Sequence, residues 1–96
     1  MKLVVSSLAD GDLEDIARYS ERNWGLDQAR RYADQLVTKF DELAANPALG
    51  KLLPRVPIRF RCLKCRSHYI FFTVNRDQVT IMRVLHESMD FARHLP

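Results

Sequence analysis

No stretch of this 96-residue chain approaches the roughly 20 consecutive apolar residues that a membrane span requires, and no repeat or low-complexity segment interrupts it. The opening MKLVVSSLADGDLED meets acidic residues too early for a secretory signal peptide, so the cytoplasm is the expected compartment. Cysteine is scarce as well. The only two cysteines lie close together in Cys62-Leu63-Lys64-Cys65, and in a cytoplasmic chain a disulfide between them would be unusual. A disulfide-stapled secreted scaffold and an integral membrane protein are thereby both set aside.

What is present fits an ordinary globule, with 47% hydrophobic and 28% charged residues. Residues 1–96 are expected to form one domain, since the length leaves no room for a second core. The net charge of +3 conceals an asymmetry. Residues 1–50 hold 6 Lys/Arg against 9 Asp/Glu, whereas residues 51–96 hold 9 against 3. A basic C-terminal half can meet nucleic acid or an acidic protein, and it can equally be a solvated sheet face.

Residues 2–6, KLVVS, read as a short strand. Ser7 is the expected N-cap of a first helix, with Asp10 at the capping-box position. Leu13, Ile16, Ala17, Ser20 and Trp24 recur at helical spacing, and Gly25 supplies the left-handed stop. Asp27 is the expected cap of a second helix, whose stripe is Ala29, Tyr32, Ala33, Leu36, Val37, Phe40, Leu43 and Ala44, ended by Asn46-Pro47. So short a connection requires an antiparallel hairpin. PALGKLLPRVP, residues 47–57, is an irregular loop. Strand patterns follow at IRFRCLK, SHYIFFTV (67–74) and QVTIMRVLHE (78–87), joined by the short links Cys65-Arg66 and Arg76-Asp77. The expected fold is α+β, in the order β-α-α-β-β-β, with an antiparallel sheet packed on an N-terminal helical hairpin.

The C-L-K-C spacing suggests zinc or redox chemistry, but its context argues for a hairpin. Residues three apart on a strand face opposite sides, so Cys62 and Cys65 cannot share a metal there. Zinc would need two further ligands, and His68, His86 and His94 show no paired spacing. A redox motif would sit at a helix N-terminus, where the thiol is acidified. No metal and no cofactor is expected. Glu14, Asp15 and Glu21 read as solvated helix charges rather than paired catalytic carboxylates.

The order of several pieces carries a resemblance. Ser6 to Ile16 follows S-x-x-A-x-x-D-L-x-x-I, then come Tyr19, Trp24-Gly25, Asn46-Pro47-Ala48-Leu49-Gly50, R-S-H-x-I-F (Arg66 to Phe71), R-V-L-H (Arg83 to His86) and Met89-Asp90. Together they resemble ParE-type toxins of the RelE/ParE superfamily, the toxin half of bacterial type II toxin–antitoxin pairs. The chain departs from the family in having Cys65-Arg66 where a hairpin glycine is frequent, and Phe71-Phe72 where Phe-Tyr is frequent. The resemblance implies a RelE/ParE-like fold, a protein that poisons DNA gyrase and need not be an enzyme itself, and a ParD-type antitoxin that folds onto it. No sequence-specific nucleic-acid binding is expected.

The alternative within the superfamily is a RelE-type ribonuclease that cuts mRNA on the ribosome, needing a base or acid beside clustered cations. Its candidates here are His86, Arg83 and Arg61. Alternation puts Arg83 opposite His86, lysine is limited to Lys51 and Lys64 in this half, and His86 serves equally well as a strand-closing partner of the Ser88–Asp90 turn. Phe60 and Phe72 are expected under the helical hairpin, and Tyr69 and Phe71 on an open opposite face. That face supplies the expected antitoxin contacts, Arg59, Arg61, Tyr69, Phe71 and Arg83. The stretch from Arg83 to Leu95 supplies the expected target contacts, Arg83, His86, Met89 and Arg93.

Overall fold

The computed structural model describes residues 1–95. The chain runs β1 (Lys2–Val5), α1 (Ser7–Trp24), α2 (Leu26–Ala45), a 3₁₀ turn (Pro47–Leu49), β2 (Arg61–Cys65), β3 (His68–Asn75), β4 (Gln78–His86) and a short α3 (Phe91–His94). The α+β order and the helical hairpin are as the sequence implies. β2, β3 and β4 form the antiparallel meander. β1 adds to the far edge of β4 in parallel, from Lys2↔Gln78 to Val5↔Ile81, so the four-stranded sheet is mixed and ordered β1-β4-β3-β2.

Local chemistry fixes the helix ends. Ser6, one residue earlier than expected, caps α1 by accepting from the Ala9 amide at 3.1 Å while its hydroxyl donates to the Met82 carbonyl at 2.8 Å. The cap therefore also ties the helix to β4. Gly25 alone separates α1 from α2, at φ 88, so α2 begins before Asp27 and has no side-chain cap. At the other end of α2 the N-terminal ammonium donates to the Ala44 carbonyl at 3.0 Å, a cation at the negative end of the helix dipole.

The sheet has two buried faces. Leu36, Phe40 and Leu43 of α2 and Ala9 of α1 pack on Cys65, Ile70, Phe72, Val79, Ile81 and Val84. The opposite face was expected to be open and is instead covered. Phe60, Cys62, Phe71 and Leu85 lie under Leu53, Val56, Phe91 and Leu95, supplied by the irregular segment before β2 and by α3. Phe60 accordingly belongs to this outer cluster and not to the space beneath the hairpin. β2 starts at Arg61, because residues 54–60 turn across the outer face instead of extending, leaving Ile58 81% exposed. Cys62 and Cys65 are buried on opposite faces of the sheet.

A bulge marks β4. Phe71 pairs with Arg83 but Phe72 with Ile81, so Met82 is an extra residue. It lies just beyond the end of β1, where the outer edge of β4 would otherwise be bare.

Candidate functional site

The bulge brings Arg83 to that bare edge, and α1 closes it. The Asp12 carboxylate accepts from Arg83 Nε and Nη2 at 2.8 Å each and from the Val84 amide at 2.9 Å. Arg83 Nη1 also donates to the His94 carbonyl at 2.8 Å. The two side chains are only 16% and 12% exposed. Hydrogen bonding to Asp12 holds the guanidinium in its charged form against partial burial. Arg83 is thus a clamp joining α1, β4 and α3, with its planar fork already occupied. This corrects the expectation that it offers itself to a partner or to a phosphate.

A groove of about 990 Å³ runs between the helical hairpin and the β3 start and β4 end. Asp15, Ile16, Tyr19 and Trp24 of α1, with Gln28 and Tyr32 of α2, form one wall. Arg66, Ser67, His68, His86, Ser88 and Met89 form the other. Tyr19, Trp24 and Met89 are 57%, 68% and 44% exposed, an unusual display of large apolar groups on one cleft. Trp24 continues the helical spacing of Leu13, Ile16 and Ser20, but as the last residue of α1 it is left exposed and edges the groove.

The floor of the groove is a polar network whose tautomers follow from its bonds. Tyr32 donates its hydroxyl proton to the Cys65 carbonyl at 2.9 Å, so at 2.6 Å it accepts from His68 Nδ1–H, which leaves Nε2 of the neutral ring as acceptor. The Ser88 amide donates to His86 Nδ1 at 3.1 Å and its hydroxyl lies 2.7 Å from the same atom, so neutral His86 carries its proton on Nε2. His86 therefore closes the strand onto the Ser88 turn, as the structural reading of the sequence held. The two imidazoles meet edge to face at 5.2 Å. Burial, followed by the neighbouring His86, lowers the His68 pKa. Burial, with Cys65 adding to it, pushes Tyr32 up to about 12.

The remaining sequence-predicted residues disperse. Arg59 is exposed before β2 with its guanidinium 4.8 Å from the Phe60 ring centroid, and Arg61 is exposed at the start of β2. Tyr69 is half-buried, with Lys64 Nζ 5.5 Å from its ring and Phe91 packed edge to face at 5.1 Å. Phe71 has no exposed surface and packs on Phe91 at 4.9 Å, so it is interior and not available to a partner. His86 and Met89 line the groove, whereas Arg93 is carried on α3 beside the outer cluster. The expected target stretch is thus split between two sides of the sheet. Arg61 and His86 lie on the two strands that flank β3, four residues apart along it, since Arg61 pairs with Phe72 and His86 with His68. The ribonuclease candidates do not converge. Sequence reasoning missed Asp12, Tyr32 and His68; only the R-S-H triplet carried any sign of the last.

Burial raises the pKa of both Cys62 and Cys65, which keeps them as thiols. Among the described residues no helix is long and apolar enough to cross a membrane.

Comparison with known proteins gives a consistent result. Residues 3–91 match the family described as ParE toxin of type II toxin-antitoxin system, parDE. The chain is 37% identical over 91 residues to Toxin ParE1 of Caulobacter vibrioides, covering 95% of this chain and 94% of that protein. It is 34% identical over 95 residues to Toxin ParE1 of Mycobacterium tuberculosis, covering 98% and 97%. Its fold is similar to a solved structure titled Chromosomal ParDE TA system from P. aeruginosa, with TM-score 0.78 at 22% identity, over 90% of this chain and 95% of that one.

Proposed function

Because the chain belongs to the ParE toxin family of type II toxin–antitoxin systems, we propose that it acts in the bacterial cytoplasm on DNA gyrase, trapping the enzyme's cleaved complex with DNA, and that a ParD-type antitoxin neutralises it. The match of residues 3–91 to the family, together with the toxins it resembles along nearly their whole length, carries this reading. The groove supports it. A cleft of about 990 Å³ edged by Tyr19, Trp24 and Met89 suits the apolar ridge of an amphipathic segment, and Arg66, His68 and His86 suit polar groups beside that ridge. The antitoxin contact surface is accordingly the groove, with Arg59 and Arg61 left to other contacts.

No observation favours the ribonuclease reading. Arg83 is engaged by Asp12 and His94, Arg61 is separated from His86 by the width of β3 and four residues along it, and the two groove imidazoles touch with no space for a phosphate between them. Co-expression with a cognate ParD-type antitoxin tests the proposal. Tyr19→Asp with Trp24→Asp places two carboxylates in the groove. The doubly substituted toxin is expected to arrest growth in the presence of an antitoxin dose that protects cells from the unsubstituted one. Undiminished neutralisation would remove the groove from the account.

A further inference from the structure

On the side of the sheet away from the groove, residues 51–60 display an aliphatic group that the fold does not need. Ile58 is 81% exposed and Leu52 52%, while their neighbours Leu53, Val56 and Phe60 turn inward onto Phe71, Phe91 and Leu95. The segment is held in shape. Lys51 exchanges both backbone hydrogen bonds with Cys62 at 2.8 and 2.9 Å, and Phe60 donates to the Pro57 carbonyl at 2.9 Å. Pro54 and Pro57 restrict it further, and Arg55 holds the left-handed φ of 64 that a non-glycine residue rarely adopts. A pinned loop with a protruding Ile presents that side chain at little further entropic cost, as an interface anchor requires.

The charge along the segment itself has one sign. Between Glu42 and Asp77 the chain has no acidic residue, while Lys51, Arg55, Arg59 and Arg61 surround Ile58 in sequence. We propose that residues 51–60 form a second docking surface, on which Ile58 enters an apolar pocket rimmed by acidic side chains on the protein that the toxin acts upon. The inference rests on the reading of this chain as a toxin with a protein target. A nucleic-acid backbone would use the cations but gain little from an exposed isoleucine. A second copy would set like charges against each other in a symmetric contact. Strand addition is disfavoured too, since Lys51 already occupies the outer edge of β2 at Cys62. Continuity with α3 through Phe91 and Leu95 joins this surface to Arg93, so one of the expected target residues lies beside it.

The test measures growth arrest and antitoxin affinity on Ile58→Asp, Ile58→Ala and the double variant Lys51→Glu/Arg55→Glu, with thermal unfolding as the folding control. Ile58→Asp is expected to raise the toxin dose for arrest by about tenfold or more, with Ile58→Ala intermediate. Antitoxin affinity and the unfolding midpoint are expected to stay at their unsubstituted values, since Ile58 packs on neither the core nor the groove. The double charge variant is expected to weaken arrest too. Undiminished arrest by Ile58→Asp overturns the proposal, and so does an equal loss of antitoxin affinity. Loss of arrest only in the charge variant would indicate a phosphate backbone instead, and would also overturn it. An unsubstituted chain that arrests growth yet leaves gyrase untouched contradicts the gyrase reading alone; one that arrests nothing contradicts both.

Discussion

Arg83→Met keeps most of the aliphatic stem and removes the guanidinium, so its cost reports the clamp between α1, β4 and α3. Three hydrogen bonds to Arg83 are lost, two of them in a bidentate pair at 2.8 Å whose members are 16% and 12% exposed. Breaking a fully buried pair costs ~3–5 kcal/mol. Residual solvent and the bond that Asp12 keeps to the Val84 amide at 2.9 Å reduce the expected loss here. With that discount the expected loss is about 2–3 kcal/mol, against a total of about 5–15 for a domain of this kind. For this length, about 4–8 °C of midpoint is lost per kcal/mol, so the transition should fall by about 8–24 °C. Chemical denaturation of the single variants Arg83→Met and Asp12→Ala and of their double variant gives the coupling directly, expected at about 2 kcal/mol. The Leu95 amide, bonded to the Phe91 carbonyl at 3.1 Å in α3, should exchange faster in Arg83→Met because His94 has lost its tie to β4. A coupling below about 0.5 kcal/mol would show that the clamp is ordinary surface charge and refute the reasoning.

Four further expectations follow from the same geometry. His68 has a folded pKa below its unfolded value, so its contribution is present above about pH 6.5 and lost as pH falls through the folded value; His68→Gln should flatten that acid limb in a stability–pH curve. Tyr32 is raised from 10.0 to about 12, so its contribution is intact below pH 10 and lost as pH climbs through about 12, a limb that Tyr32→Phe should remove. A Cβ at Gly50 would collide with the buried Phe72 ring, so Gly50→Ala should cost roughly 1–3 kcal/mol by denaturant titration. Arg76 turns the β3–β4 hairpin at φ 49, so Arg76→Gly should raise stability by about 0.5 kcal/mol, the relief of left-handed strain exceeding glycine's unfolded-state entropy.

The hairpin and the meander were legible because a 3.6-residue stripe and a two-residue alternation are both written in residue type. Leu36, Phe40 and Leu43 declare their face without help from elsewhere. The partner of β1 was not, because alternation in KLVV says which face is buried and nothing of which strand lies alongside. The covered outer face was also hidden. Leu53, Val56, Phe91 and Leu95 come from irregular segments with no period to reveal them, so Tyr69 and Phe71 looked available when Phe71 has no exposed surface. Asp12 and Arg83 are 71 residues apart, and they meet at the edge of β4 beside a bulge that residue type does not announce, although the alternation that set Arg83 opposite His86 holds. Of the groove, the helical spacing that joins Trp24 to Ile16 and Ser20 was readable, but periodicity cannot say whether the last turn of such a stripe is packed or exposed. His86 was the exception, since its position at the strand end next to Ser88 made the turn contact readable from spacing alone.

The most direct measurement is a DNA-cleavage assay with gyrase and supercoiled plasmid, using purified toxin with and without its antitoxin. Accumulation of cleaved DNA that rises with toxin and disappears on adding antitoxin is the expected result. Unchanged cleavage and supercoiling at saturating, growth-arresting toxin would contradict the assignment of gyrase as the target.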